Sequence, residues 1–164
     1  MTYLEKSKSK IMSLASFLEI RQDLKHQGKK LVFTNGCFDI IHLGHVEYLS
    51  KARDLGDALI VGLNSDSSVK RIKGPERPIH DNNTRSTILA SMHFIDYVVF
   101  FDEDTPELII DQIIPDVLTK GADYSVENIV GAKTVLAHGG EVKTIELVDG
   151  HSTTKIIDKL LHNS

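Results

Sequence analysis

The chain has 164 residues, which is long enough for one domain with a buried core and too short for two domains of ordinary size. Its formal net charge of -4 argues against a protein that binds nucleic acid through bulk electrostatics, although an anionic small molecule would need only local positive charge. The single cysteine, Cys37, excludes an intramolecular disulfide and a multi-cysteine zinc site.

The N-terminal region is predicted to be helical, because residues 11–27 place apolar side chains at helical spacing and Gly28 is a natural stop. We assign residues 1–29 to an N-terminal helical segment packed on a domain that comprises residues 30–164. The segment could pack on the sheet or on a second subunit, so the sequence also allows a homo-oligomer. Its first residues lack the apolar run of a secretory signal, and no apolar run in the chain approaches the roughly 20 residues that span a bilayer. We therefore expect a cytoplasmic protein with no membrane partner.

Short apolar runs alternate with helical patterns along the rest of the chain. The predicted strands cover residues 31–34, 58–63, 97–101, 116–119 and 141–147. The predicted helices cover residues 44–55, 65–72, 84–92, 105–114, 130–138 and 153–161. This alternation predicts a doubly wound α/β fold, a parallel sheet of five strands with helices on both faces. Ligands of such folds bind beyond the carboxyl ends of the strands, where the strand order reverses.

The segment FTNGCFDIIHLGH joins the first of these strands to the next helix. Helix-start amides attract an anion, and Gly36 and Gly44 let a phosphate approach the backbone closely. His42 and His45 can face the same side of the helix, where two imidazoles suit a phosphate group whose charge grows during a reaction. A zinc pair is less attractive, because Asp39 would be the only obvious third ligand. The alternative without function is a capped helix with surface histidines.

Within that segment, NGCFDIIHLGH is similar to the G-x-F-D-x-x-H-x-G-H signature of the cytidylyltransferase-like nucleotidyltransferases. Members of this family have Rossmann-like folds and join a nucleoside triphosphate to a phosphate-bearing acceptor with release of pyrophosphate. The similarity continues through VGLNSDSSVKRIKGPERPI, EDTPELI, KGADY and HSTTKII, and it most resembles the adenylyltransferases of bacterial ADP-heptose synthesis. The resemblance implies ATP and a sugar 1-phosphate, here a heptose 1-phosphate, as partners, with Mg²⁺ carried by the ATP phosphates and no metal site in the protein.

The resemblance also implies a set of site residues. His42, His45 and Lys73 are the predicted catalytic residues; the two histidines would bind the triphosphate and stabilise the transition state at the α-phosphorus. The predicted nucleotide-binding residues are Thr34, Asn35, Gly36, Phe38, Gly44, Lys120, Gly121, Ser152, Thr153 and Thr154. The predicted substrate-binding residues are Asp39, Asn64, Asp66, Arg85 and Asp123. Arg71 and Arg77 are weaker candidates.

Several of these residues have a structural alternative. Asp39 could cap its turn, Asp66 could be the N-cap of the next helix, and Arg85 could be a plain helix-surface arginine. Lys120 and Asp123 could have a structural role in a turn and its cap. The hydroxyls of residues 152–154 open the last predicted helix, where they would both cap it and hold the β- and γ-phosphates, so they should share one cleft with the two histidines.

Other activities have less support. The chain has no G-x-x-x-x-G-K-[ST] segment and no G-x-G-x-x-G after its first predicted strand, which argues against a P-loop kinase and a dehydrogenase. Two alternatives stay open: a cytidylyltransferase acting on an alcohol phosphate such as glycerol 3-phosphate, and a non-catalytic nucleotide-binding subunit. Related cytidylyltransferases usually carry an arginine at the end of the last motif, where Lys155 and Ile156 stand here, and this departure weakens the assignment of CTP.

Overall fold

The computed structural model describes residues 1–163. Its strands form one six-stranded parallel sheet. The strands are β1 (Ile11–Met12), β2 (Leu31–Gly36), β3 (Ala58–Asn64), β4 (Tyr97–Phe101), β5 (Val117–Gly121) and β6 (Glu141–Ile145). Their order across the sheet is β1-β4-β3-β2-β5-β6. The predicted α/β class is therefore confirmed, whereas the predicted count of five strands is wrong.

Eight α-helices accompany these strands in residues 1–163. They are α1 (Tyr3–Lys8), α2 (Leu14–His26), α3 (Leu43–Arg53), α4 (Asp66–Lys73), α5 (Asn82–Ser91), α6 (Glu107–Ile113), α7 (Ala132–Ala137) and α8 (Thr153–His162), with a 3₁₀ turn over Val126–Asn128. Side-chain oxygens of Ser13, Ser65, Asp81 and Ser152 accept hydrogen bonds from the amides that open α2, α4, α5 and α8. Each of these helices in residues 1–163 is too short or too polar to cross a lipid bilayer.

The sixth strand lies in the region predicted as a helix over residues 11–27. Ile11 and Met12 pair with Val98 and Val99 of β4, and α2 begins only after Ser13. Two apolar residues are too few for periodicity to distinguish a strand from a helix. In addition, Ile11 and Leu14 are three positions apart, which is the spacing of residues on one helix face. The Ser13 cap is the local signal that separates the two elements.

The core lies on both faces of the sheet, since alternate residues of each strand point to opposite sides. On one face Phe33 and Ile60 pack with Phe17 of α2 and with α6 and α7. On the other face Val32 and Val61 pack against α3 and α5. Continuous apolar strands such as β3 are typical of sheets buried on both faces.

The strand order reverses between β2 and β5. From β2 the chain passes through α3 to β3 on one side, and later it passes from β4 through α6 to β5 on the other side. The carboxyl ends of β2 and β5, at Gly36 and Gly121, therefore diverge at the switch point where ligands of such folds bind.

Candidate active site

A cleft of about 620 Å³ opens at this switch point. Its walls are the segment after β2, the end of α4, the end of β5 and the start of α8. All of the predicted catalytic, nucleotide-binding and substrate-binding residues line the cleft except Thr34, Asp66 and Arg85. The fold therefore brings together motifs that are widely separated in the sequence.

His42 and His45 form a stacked pair at the start of α3. Their ring centroids are 3.8 Å apart with the planes at 27°, and the His42 backbone N–H donates to Nδ1 of His45 over 3.3 Å. Because Nδ1 of His45 accepts, the neutral ring carries its proton on Nε2. Burial, with a smaller effect of His42, lowers the pKa of His45 to about 4. Near neutral pH, His45 is thus an uncharged donor held in one orientation.

His42 is also shaped by its surroundings. Burial, and then the neighbouring His151, lower the pKa of His42 below its ordinary value. A Cβ on Gly44 would lie 2.9 Å from Cε1 of His42, so glycine is what allows this ring to pack over the first turn of α3. The buried Nδ1 of His42 has no hydrogen-bond partner within residues 1–163. It packs against the first turn of α3, 3.0 Å from the position that a Cβ on Gly44 would take.

The turn between β2 and α3 is strained at Phe38. This residue has a φ of +46°, a left-handed conformation that non-glycine residues rarely adopt. Its ring packs edge-on against His45 with centroids 5.3 Å apart, and a Cβ on Gly36 would lie 2.9 Å from it. Such strain persists where the surroundings enforce it and is common at ligand sites. Phe38 thereby supports the imidazole from the protein side.

The start of α8 closes the cleft opposite the histidines. Thr153 donates its Oγ1–H to the carbonyl of Ile40 over 3.1 Å, a contact between residues 113 positions apart that ties α8 to the segment after β2. Ser152 caps the helix by accepting from the N–H of Lys155 over 3.1 Å. Together with Thr154, these residues line the same cleft as the histidines. The positive ends of the α3 and α8 dipoles therefore open on one space.

Two lysines supply positive charge to the cleft. Burial lowers the pKa of Lys120, against the opposing effects of Cys37 and Asp123, and its Nζ lies 5.6 Å from the ring centroid of Tyr124. Lys73 lines the cleft from the last turn of α4. Neither lysine forms an ion pair in the described part of the chain. Both remain free to neutralise an anionic ligand.

Asp39 borders the cleft, but its carboxylate is already occupied. Its oxygens accept hydrogen bonds from the N–H groups of Ile79 and His80 and from Nε of Arg77, all within 2.7–2.9 Å. Burial alone would raise the pKa of Asp39, but these donors lower it below its ordinary value. Asp39 thus holds the loop that follows α4, and its contact with the substrate stays a prediction.

Arg85 and Asp66, predicted to contact the substrate, lie outside the cleft lining. The side chain of Arg85 is fully buried, and protein acceptors, Asp66 among them, occupy all five of its N–H donors. Nor is Asp66 the N-cap of α4, a position taken by Ser65. The Arg85 guanidinium donates over 2.7–3.0 Å to the carbonyls of Cys37, Asn64 and His80 and to the side chains of Asp66 and Asn82. Arg85 therefore supports the cleft wall from behind.

Thr34, predicted to bind the nucleotide, is fully buried and does not line the cleft. Its hydroxyl lies 2.9 Å from the hydroxyl of Tyr48, which donates to Thr119 over 3.2 Å. Thr119 in turn donates to the carbonyl of Phe33 over 3.3 Å. This buried chain of hydroxyls links α3 to β2 and β5 beneath the cleft floor. Thr34 takes part in it because Tyr48, which is distant in the sequence, packs beside it.

Sequence reasoning missed His151 as a site residue. Its ring lies in the cleft lining with its centroid 6.3 Å from that of His42. The available signal was its position directly before Ser152 in the HSTTKII block.

Within residues 1–163, no group of three or more His, Cys, Asp or Glu side chains could hold a metal ion.

The free energy of unfolding is expected to fall as the pH is lowered from about 6.5 towards 4. Folded His45 has a pKa of about 4 against an ordinary value of 6.5, so between these values the unfolded chain binds more protons and stability increases with pH. Below pH 4 both states are protonated and the dependence levels off. Urea denaturation at several pH values from 4 to 7 gives the free energy of unfolding as a function of pH. This free energy should rise less steeply with pH in His45→Gln than in the wild type. An equal dependence on pH in the two proteins would contradict the assignment.

Comparison with known proteins decides the family. The model of the family described as cytidylyltransferase-like matches residues 33–159. The chain belongs to this family. It is therefore a nucleotidyltransferase, which confirms the resemblance seen in NGCFDIIHLGH.

Among curated proteins, the chain is 54% identical over 155 residues to the bifunctional protein HldE of Citrifermentans bemidjiense, covering 94% of this chain and 32% of that protein. It is 54% identical over 149 residues to the bifunctional protein HldE of Marinomonas sp., covering 91% and 31%. The chain thus spans about a third of the length of these relatives. Their names indicate two functions, and the match lies in one part of each protein.

Two solved structures share the fold. A lipopolysaccharide core biosynthesis protein from Thermoplasma volcanium GSS1 matches with a TM-score of 0.58 and 28% identity, covering 74% of this chain and 98% of that chain. The pantoate-beta-alanine ligase of Francisella tularensis, solved with β,γ ATP and β-alanine, matches with a TM-score of 0.59 over 93% of this chain and 77% of its own. At 14% identity, the second likeness is one of fold alone.

Proposed function

We propose that this domain transfers AMP from ATP to a heptose 1-phosphate, giving ADP-heptose and pyrophosphate. The observation that carries the proposal is that the histidine pair and the start of α8 line one cleft of about 620 Å³. The heptose is supported by the similarity of the motif blocks to the adenylyltransferases of ADP-heptose synthesis. The names of the HldE relatives and of the Thermoplasma protein agree with this assignment.

The geometry suits a triphosphate lying between the two helix starts. The α-phosphate would face His42 and His45, whose uncharged rings offer N–H donors, and the β- and γ-phosphates would face the start of α8. A phosphate oxygen of the acceptor forms the new bond to the α-phosphorus. The bond from that phosphorus to the bridging oxygen breaks, and pyrophosphate leaves with the electron pair. Positioning and charge neutralisation suffice, so no protein nucleophile is required.

We expect Mg²⁺ to be carried by the phosphate oxygens of ATP, because it prefers six oxygen ligands and retains several waters. The ion would neutralise phosphate charge. Of the carboxylates that line the cleft, Asp39 and Asp104 already pair with arginines, whereas Asp123 has no ion pair within residues 1–163. Asp123 is the side chain that suits contact with a water molecule of the ion.

Pyrophosphate release should be assayed with ATP and with CTP, each against heptose 1-phosphate, mannose 1-phosphate and glycerol 3-phosphate. We expect turnover with ATP and the heptose 1-phosphate. Turnover with CTP and glycerol 3-phosphate instead would show a cytidylyltransferase of alcohol phosphates. Binding of ATP without turnover on any of these acceptors would oppose the proposal and favour a non-catalytic subunit. The His45→Ala variant, purified identically, controls for contaminating activity.

A further inference from the structure

His151 extends the histidine pair into a row of three imidazoles. Its ring plane lies at 21° to that of His42 with the centroids 6.3 Å apart, while His42 stacks on His45 at 3.8 Å. The Cβ of His151 lies only 3.3 Å from the position that a Cβ on Gly44 would take. The starts of α3 and α8 therefore meet at His151, so the row leads from the half-buried His45 to the exposed His151 before α8.

The ring of His151 is free to bind a ligand. Its residue is exposed and lines the cleft, and within residues 1–163 no hydrogen bond reaches either ring nitrogen. The ring also lies beside that of His42, one of the two predicted catalytic histidines, with the planes at 21°. The next residue, Ser152, caps α8, so the ring stands beside the amides that open this helix.

A hydrogen-bond donor at this end of the cleft would stabilise the departing pyrophosphate. When the bond between the α-phosphorus and the bridging oxygen breaks, negative charge accumulates on the departing pyrophosphate. Donors that meet this developing charge stabilise the transition state and bind the product. Lys73 and Lys120 approach from the ends of α4 and β5, whereas His151 stands at the start of α8, where the β- and γ-phosphates are expected.

We propose that His151 donates a ring N–H to an oxygen of the β- or γ-phosphate and so sets the affinity for the pyrophosphate part of the nucleotide. The inference rests on the proposed function only in placing a triphosphate in this cleft. No proton needs to be transferred, since the contact is a hydrogen bond to an anion. A hydrogen bond to a charged group is worth about 1.5–3 kcal/mol, so losing it should weaken binding about 10- to 100-fold.

The test is calorimetric titration of the whole chain with Mg²⁺-ATP, Mg²⁺-pyrophosphate and AMP, without acceptor. His151→Phe keeps a planar ring beside His42 but has no donor. We expect it to raise the Kd of ATP and of pyrophosphate about 10- to 100-fold and to leave the Kd of AMP unchanged. His151→Asn restores an N–H donor and should recover part of the affinity. His162→Phe, at the exposed far end of the same helix, is the matched control and should bind all three ligands like the wild type.

Each result decides the matter. Wild-type affinity for pyrophosphate in His151→Phe, or an equal loss for AMP and ATP, would overturn the proposal, and so would a wild-type protein that binds no pyrophosphate. Because no acceptor is present, the expected pattern of Kd values would support His151 even if no sugar phosphate gave turnover. In that event the proposed reaction would fail while the inference on His151 stands. Circular dichroism of each variant separates loss of binding from loss of α8.

Discussion

Replacing His45 with alanine is expected to lower the turnover number about 10²–10³-fold, the scale observed when one preorganised transition-state donor is removed. The His45 ring is held by the His42 amide, by stacking on His42 and by the edge-on contact with Phe38. Because its pKa is lowered to about 4, it supplies an uncharged N–H donor throughout the neutral range. A donor fixed in this way requires little reorganisation when charge develops on the α-phosphate.

The measurement is the rate of pyrophosphate release at saturating ATP and acceptor. His138→Ala is a suitable control, because this exposed histidine follows α7 and does not line the cleft. We expect native circular dichroism from both variants and near wild-type turnover from the control only. A His45→Ala protein with a native spectrum and a near wild-type rate would remove His45 from the chemistry.

The two histidines at the ends of the row should differ in their kinetic effects. His45, beside the site expected for the α-phosphate, should act mainly on the turnover number. His151, beside the site expected for the departing pyrophosphate, should act on the affinity for ATP and pyrophosphate. If the His45 variant changes mainly kcat and the His151 variant mainly KM, the α-phosphate lies beside His45 and the pyrophosphate beside His151. A triphosphate bound in the opposite direction would exchange the two effects.

The sequence predicts the sheet well where strands are buried on both faces. The run at residues 97–101 is β4 itself, and residues 58–63 miss only the last residue of β3. Such strands are continuous apolar runs bounded by turn residues, so their limits are local properties. The two-residue strand β1 has no such pattern, since it forms only because β4 offers it an edge.

The candidate site was predictable in part for a similar reason. The histidine and glycine spacing of α3 and the hydroxyls of α8 are local signals of anion binding, and topology alone brings them together. The partners of charged side chains are not local. Asp39 and Arg85 carry the residue types of a ligand site, but the donors to Asp39 lie about 40 positions away, and the acceptors of Arg85 come from five residues 3 to 48 positions away. No periodicity reveals such pairings, so the internal contacts of these two residues could not be predicted.

Arg85→Met is expected to lower the free energy of unfolding by about 3–5 kcal/mol, the cost of breaking a buried charged network by removing one partner. Methionine fills much of the volume of arginine but donates no hydrogen bond. The carbonyls of Cys37 and Asn64, which lie at the ends of β2 and β3, would then lose their bonds to the guanidinium. Arg85→Lys should not restore stability, because one ammonium cannot reach five acceptors that a planar fork serves together.

Urea denaturation of Arg85→Met should be compared with that of Arg71→Met. Arg71 is an exposed arginine whose ion pairs with Asp102 and Asp104 lie on the surface, where such pairs contribute little to stability. If Arg85 instead contacted substrate, its loss would raise KM and leave the denaturation midpoint near that of the Arg71 variant. A large loss of stability in Arg85→Met alone would show that this arginine holds together the backbone on which Asp39 and the histidine segment are mounted.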